Sequence, residues 1–240
     1  MRFLPVFLLA CSRQHPGIVA HRALGVNETT DENDPANMLA AFSAGYGAET
    51  DLRVDGDGCE GKLERLETDG CFDLGHSAPN GHTLAELLDT LESGWTDDFG
   101  GQTLLLDVVN DPDRTLTLAL VPFLRQRLAS SPLSEIDLMI QSSSVEGIAL
   151  LRGQLDAEPV QFPLRLGITW FVNPSLTVPD SAEFAVVHIA ELPLVPMPVP
   201  VAVFGVASES SYKQAIYAES EVEFVITDFP QRIEIFAGYE

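Results

Sequence analysis

The stretch GAETDLRV, residues 47–54, reads as a β-strand that sets two carboxylates, Glu49 and Asp51, two residues apart. Side chains alternate between the two faces of a strand, so both carboxylates point the same way. Like charges that close repel each other unless something lies between them. What surrounds this strand decides which sheet it belongs to and what fills that gap.

Working outward, the chain alternates short apolar runs with longer amphipathic ones. The strand-like runs are GIVAH (17–21), GAETDLRV (47–54), CFDLGH (71–76), TLLLDVV (103–109), IDLMIQS (136–142), LRLGITW with its core at 165–170, AEFAVVHI (182–189), VAVFGV (201–206) and VEFVITDF (222–229). Several are nearly continuous apolar runs, as expected of parallel strands buried on both faces. Helical spacing marks DPANMLAAFSAGYG, with Asp34 as N-cap and Pro35 at the first helical position. It also marks TLAELLDTLES, opened by Thr83 and Glu86, and RTLTLALVPFLRQRLAS, which Pro122 should kink or split. SSVEGIALLRGQ and SESSYKQAIYAES complete the expected set, and LPLVPMPVP (192–200) reads as an extended loop.

Alternating strands and helices predict an α/β fold, either a doubly wound sheet or a (β/α)8 TIM barrel. Nine strands are one too many for the barrel. No helix separates 47–54 from CFDLGH, only a DGDG turn and a cysteine-bounded loop, so CFDLGH is read as an extra hairpin strand after strand 2. Eight strands then close the barrel. No Gly-x-Gly-x-x-Gly follows the first strand, which counts against a dinucleotide-binding sheet.

Charge narrows the partners. Thirteen Lys and Arg face 36 Asp and Glu, a formal net charge of −23, and only Lys62 and Lys213 are lysines. Such a field repels polyanions and excludes nucleic acid as a partner. A phosphorylated substrate would need a metal or a local arginine to overcome it.

The N-terminus, MRFLPVFLLAC, carries Arg2, a short apolar run and Leu8-Leu9-Ala10 before Cys11. It resembles the lipobox of bacterial lipoproteins, which implies a signal peptide over 1–10, lipidation of Cys11 and one domain over 11–240. The competing reading is a mis-set start codon or a buried first strand. The resemblance implies an exported, lipid-anchored protein of the bacterial cell envelope, touching membrane only through that anchor and expected to be a monomer. Cys59 and Cys71 flank a polar loop and are expected to form a disulfide in an oxidising compartment, with two free thiols as the alternative.

The barrel places chemistry at the C-terminal ends of its strands. There the first strand ends in His21-Arg22, the second carries Glu49 and Asp51, the hairpin strand ends in His76, and TLLLDVV carries Asp107. Carboxylate oxygens suit Mg²⁺ or Ca²⁺, and two free imidazoles suit a general acid and a general base. Trp170, at another strand end, either lines a substrate pocket or simply packs.

These residues resemble the glycerophosphodiester phosphodiesterases, of the phospholipase-C-like barrel superfamily. IVAHRA is similar to the family's opening His-Arg-Gly, and DENDPANMLAAFSAGYGAETD to its Pro-Glu-Asn-Thr…Glu-x-Asp block. LGHSAP stands where the family has its second histidine, LLLDVV where it has Glu-x-Lys, and IQSSSVEGIALLR is similar to its Gln-Ser-Phe strand. VEFVITDFPQR is similar to its closing Ile-Thr-Asp-x-Pro. The layout is also similar to sphingomyelinase D, which has a disulfide in a loop near the second histidine.

The resemblance implies one divalent cation, Mg²⁺ or Ca²⁺, held by Glu49, Asp51 and Asp107. It implies His21 and His76 as the acid–base pair, Arg22 on the phosphate and Glu32 in support. The substrate would be a small phosphodiester or a phospholipid headgroup. Four departures stand out: Ala23 replaces the glycine after His-Arg, Asp31-Glu32-Asn33 keep the Pro-Glu-Asn-Thr pattern only in part and lose its threonine, Ser77 replaces an aspartate, and Val109 replaces the phosphate-holding lysine. A catalytically weakened member that binds a ligand or partner is the alternative. A barrel enzyme of another class, such as a metal-dependent hydrolase or an aldolase, is a third reading; neither lysine lies well inside a strand, which counts against a Schiff-base aldolase.

Overall fold

The computed structural model describes residues 15–26, 31–54, 71–78, 80–109, 111, 114–170, 178–192 and 197–238. All nine predicted strands form: β1 (Gly17–Ala20), β2 (Gly47–Val54), β3 (Phe72–Leu74), β4 (Thr103–Val108), β5 (Asp137–Ser142), β6 (Leu164–Trp170), β7 (Phe184–His188), β8 (Val201–Phe204) and β9 (Val222–Thr227). Eight pair in parallel, in the order β1-β9-β8-β7-β6-β5-β4-β2, and a further β1–β2 pairing closes the ring. β3 lies outside the ring, antiparallel to β2, with Arg53 opposite Asp73. The result is a TIM barrel with an extra hairpin strand.

The helices are α1 (Pro35–Ser43), α2 (Leu84–Ser93), α3 (Thr115–Leu128), α4 (Val145–Ala157), α5 (Glu209–Ile216) and α6 (Pro230–Ala237). Local chemistry starts them as expected: the Asp34 side chain accepts from the N–H of Ala36, and Thr83 from that of Glu86. Two points differ from the sequence reading. The helix α6 was not among the expected set; its eight residues bury only Pro230 and Ile233, a short periodic signal. And α3 runs through Pro122 without splitting. Proline removes the donor that the Leu118 carbonyl would have used, and the Gln154 side chain of α4 supplies one instead, at 2.8 Å. Among the described residues no helix is long and apolar enough to cross a membrane.

Two apolar regions hold this together. The larger lies between barrel and helices, and includes Ala48 and Leu52 of β2 with Met38, Phe42, Leu87 and Leu91 of α1 and α2. The smaller fills the barrel: Val19, Leu105, Met139, Phe184, Val186, Ala202 and Ile226. Phe184 crosses the axis so closely that a Cβ on Gly167 would lie 2.2 Å from its ring. At the N-terminal end of the barrel, Arg165 pairs with Glu223 at 2.8 Å and Asp137 at 2.6 Å. The inward faces of β1, β2, β4 and β9 are therefore apolar or charged by depth: Val19, Leu105 and Ile226 in the middle, with the groups described next one or two residues further on.

Candidate active site

Strand alternation and register bring the carboxylates together. Glu49 and Asp51 share the inward face of β2, and Asp51 pairs in register with Asp107 of β4. One oxygen from each of Glu49, Asp51 and Asp107 lies within 4.8 Å of the others. Glu49 and Asp51 are each only 2% exposed, and Asp107 is partly exposed. Burial pushes the Glu49 carboxyl up to about 8; the neighbouring Asp51 and Asp107 add to this, against the opposing pull of His21. Burial and then Asp51 raise Asp107 to about 7, although Gln141 donates a hydrogen bond to it. Burial is the larger cause, and the repulsion anticipated from GAETDLRV adds to it. An all-oxygen, closely spaced donor set of this kind fits a hard divalent cation.

Two histidines flank the carboxylates. His21 follows β1 in a single 3₁₀ turn. Its Nδ1 lies 2.7 Å from Asp228 Oδ1, and its Nε2 lies 4.0 Å from Glu49 Oε2. Burial alone would lower the His21 pKa, but the hydrogen bond to Asp228 and the fields of Glu49 and Asp228 outweigh it and hold it above 6.5. The same bond lowers the pKa of Asp228. His76 follows β3, and its Nδ1 lies 3.0 Å from Asp51 Oδ1. Each imidazole is thus oriented through Nδ1 by a carboxylate, which leaves Nε2 for chemistry.

The turn that carries His21 is strained for a reason. Arg22 and Ala23 both sit in the left-handed region, at φ 51° and 56°. Non-glycine residues reach it at a cost of about 1–2 kcal/mol each. In this conformation the Arg22 N–H donates to Glu49 Oε2 at 2.8 Å, and the guanidinium pairs with Asp51 at 3.0 Å and Glu32 at 2.9 Å. The positive φ at Ala23 also explains why a glycine suits that position. Gly25, at φ +75°, lets the turn close on β9: a Cβ there would lie 2.1 Å from the Asp228 carbonyl oxygen.

The structure therefore gathers His21, Arg22, Glu32, Glu49, Asp51, His76 and Asp107 at one end of the barrel. Trp170 ends β6, but its side chain lies outside the described residues, as do Cys11 and Cys59. Cys71 is buried just before β3. Three residues join the site that sequence reasoning did not place there. Asp228, in the VITDFP ending, orients His21. Gln141 donates to Asp107. Asn33 accepts from the Asp51 N–H at 3.1 Å and donates to its carboxylate at 3.3 Å. The inward period-2 positions of β5 and β9 would have pointed to Gln141 and Asp228, and Asn33 lies in the DENDPANM stretch that is similar to the Pro-Glu-Asn-Thr block. The remaining histidines are engaged elsewhere: His15 with Tyr212, His82 with Glu86, and His188 with the N–H of Ala190.

No family model matches the chain, and no curated protein matches it. Among solved structures, it is similar to a phosphodiesterase of Oleispira antarctica in complex with the product sn-glycerol-3-phosphate. The TM-score is 0.57 at 17% identity, and the match covers 93% of this chain and 97% of that one. The chain shares the TIM-barrel fold of that structure.

Proposed function

We propose that this protein is a metal-dependent phosphoric diester hydrolase acting on glycerophosphodiesters or phospholipid headgroups. The observation that carries the reading is the convergence of three carboxylates between two histidines, each held through Nδ1, at the C-terminal end of a barrel. The product found in the similar phosphodiesterase supports a glycerophosphodiester as substrate.

Glu49, Asp51 and Asp107 would hold one Mg²⁺ or Ca²⁺. When bound, such a cation polarises phosphoryl oxygens and offsets the charge that develops on them. The chain's own groups do the rest. Asp228 and Asp51 fix the two imidazoles, so that one Nε2 takes the proton of the attacking hydroxyl and the other gives a proton to the leaving alkoxide. The nucleophile is water or a neighbouring hydroxyl of the substrate. Arg22 contributes positive potential beside the phosphate, and Glu32 steadies its guanidinium.

We further propose that Cys59 and Cys71 form a disulfide, that Cys11 is lipidated after removal of residues 1–10, and that the monomer is anchored in the cell envelope by that lipid alone. Val109, where a lysine would hold phosphate, favours a second reading: a weakened member that binds a ligand without turnover.

The test is turnover of bis-p-nitrophenyl phosphate and glycerophosphocholine with Mg²⁺, with Ca²⁺ and with EDTA, beside Glu49→Ala. Metal-dependent turnover lost in the variant supports the hydrolase. A folded protein that binds the metal yet turns over neither substrate moves the reading to the binding lipoprotein.

A further inference from the structure

We propose that Arg53 is a phosphate-binding residue that takes the place of the lysine missing at position 109. The inference rests on the phosphodiesterase reading for its substrate class and adds a binding group to it.

Placement is the first argument. Glu49, Asp51 and Arg53 fall at positions i, i+2 and i+4 of one strand, so they share a face. Arg53 lies roughly 7 Å further toward the C-terminal end than Asp51. The β2–β4 ladder pairs Asp51 with Asp107 and Leu52 with Val108, and the Val109 N–H donates to the Leu52 carbonyl at 2.9 Å. One step further in the same register, Arg53 lies beside Val109. Asp107 and Val109 are also two residues apart on one face. A cation lost from β4 is thus matched by a cation at the same height on the adjacent strand.

Pairing is the second argument. Among the described residues, every arginine and lysine other than Arg53 and Arg232 forms an ion pair with a carboxylate, and Arg232 lies over the Phe229 ring. Arg53 is partly buried and has no ion pair there; its buried Nε lacks a hydrogen-bond partner, as do those of Arg22, Arg114 and Arg125, whose guanidinium groups are nevertheless ion-paired. In a chain of net charge −23, a guanidinium without an ion pair among the described residues is not explained by a shortage of carboxylates. Its opposite neighbour, Asp73, turns its carboxylate to the Asn80 N–H at 3.2 Å. Arg22, by contrast, is engaged by Asp51 and Glu32. A buried donor without a partner is costly, and the planar guanidinium matches two phosphoryl oxygens.

The experiment compares wild type with Arg53→Gln, Arg53→Lys and Arg53→Gln/Val109→Lys. It reads KM for bis-p-nitrophenyl phosphate, inhibition and calorimetric binding by inorganic phosphate with Mg²⁺ present, Mg²⁺ affinity alone, and thermal midpoint. Arg53→Gln is expected to weaken phosphate roughly ten- to a hundredfold, the loss of one charge-assisted hydrogen bond. Mg²⁺ affinity should not fall, since a nearby positive charge has been removed. Arg53→Lys should recover part of the loss, and Val109→Lys on the Gln background most of it. Unchanged phosphate affinity in Arg53→Gln overturns the proposal. So does a loss that tracks a lowered thermal midpoint and is not restored by Val109→Lys. If wild type has no turnover but binds phosphate through Arg53, the hydrolase reading fails and this one stands. If wild type binds no phosphate, both fail.

Discussion

His21 Nδ1 and Asp228 Oδ1 lie 2.7 Å apart although 207 residues separate them in the chain. Their strands, β1 and β9, are the first and last of the barrel and pair in register from Gly17 with Phe224 to Ala20 with Thr227. The closure of the barrel thus also completes the orientation of a catalytic candidate. Because Asp228 raises the His21 pKa, Asp228→Asn should lower it. Histidine NMR titration in EDTA is expected to show His21 titrating above 6.5 in wild type and lower in the variant. Turnover should fall about 100-fold, the low end of what a positioned acid–base group contributes. An unmoved His21 titration in Asp228→Asn would remove Asp228 from the site.

Metal-free stability should fall as pH rises. Glu49 and Asp107 have folded-state pKa values above their unfolded ones, at about 8 and about 7. Between the unfolded values and these, the native chain holds protons that the unfolded chain has released, so stability drops with increasing pH. His21, also raised, acts in the same direction: its contribution is present below 6.5 and is lost as pH passes its folded value. In EDTA the thermal midpoint should decline from pH 5 to pH 8.5. Saturating Mg²⁺ or Ca²⁺ should raise it more at pH 8 than at pH 6, because the cation binds the ionised carboxylates. A midpoint that rises with pH in EDTA would contradict this.

Loss of function and gain of metal-free stability should coincide at Asp107. Asp107→Asn keeps the shape but removes one buried charge from the cluster of three. It is expected to abolish metal-dependent turnover while raising the thermal midpoint in EDTA at pH 8. Calorimetry should show Mg²⁺ affinity reduced by at least tenfold. Equal midpoints for variant and wild type under those conditions would mean that the carboxylates do not repel each other in the folded protein.

At the opposite end of the barrel the expected pattern is reversed. Arg165 links Asp137 and Glu223 and lies over the Phe224 ring, 5.5 Å from its centroid. Arg165→Ala leaves two carboxylates facing each other without the guanidinium between them. Urea denaturation should show a loss of about 1–3 kcal/mol, less than for a fully buried pair because all three groups retain some solvent. Metal affinity and kcat should be unchanged, as the N-terminal end of a TIM barrel serves stability.

Much of this molecule was legible in the sequence, because the relevant signals are local. Period-2 alternation put Glu49 and Asp51 on one face, the missing helix before CFDLGH identified the hairpin strand, and His21, His76 and Asp107 lay at strand ends where a barrel collects its chemistry. Arg53 was visible in the same opening stretch, two residues beyond Asp51, but its significance depends on standing beside Val109, and register between strands is not written in either strand. The Asp228–His21 bond, the Gln141–Asp107 bond and the Gln154 side chain that satisfies Leu118 all join distant segments. Short-range spacing determines which face a residue occupies; which residues meet across that face is decided only when the barrel closes, since the contacts are set by tertiary pairing and not by neighbours in the chain.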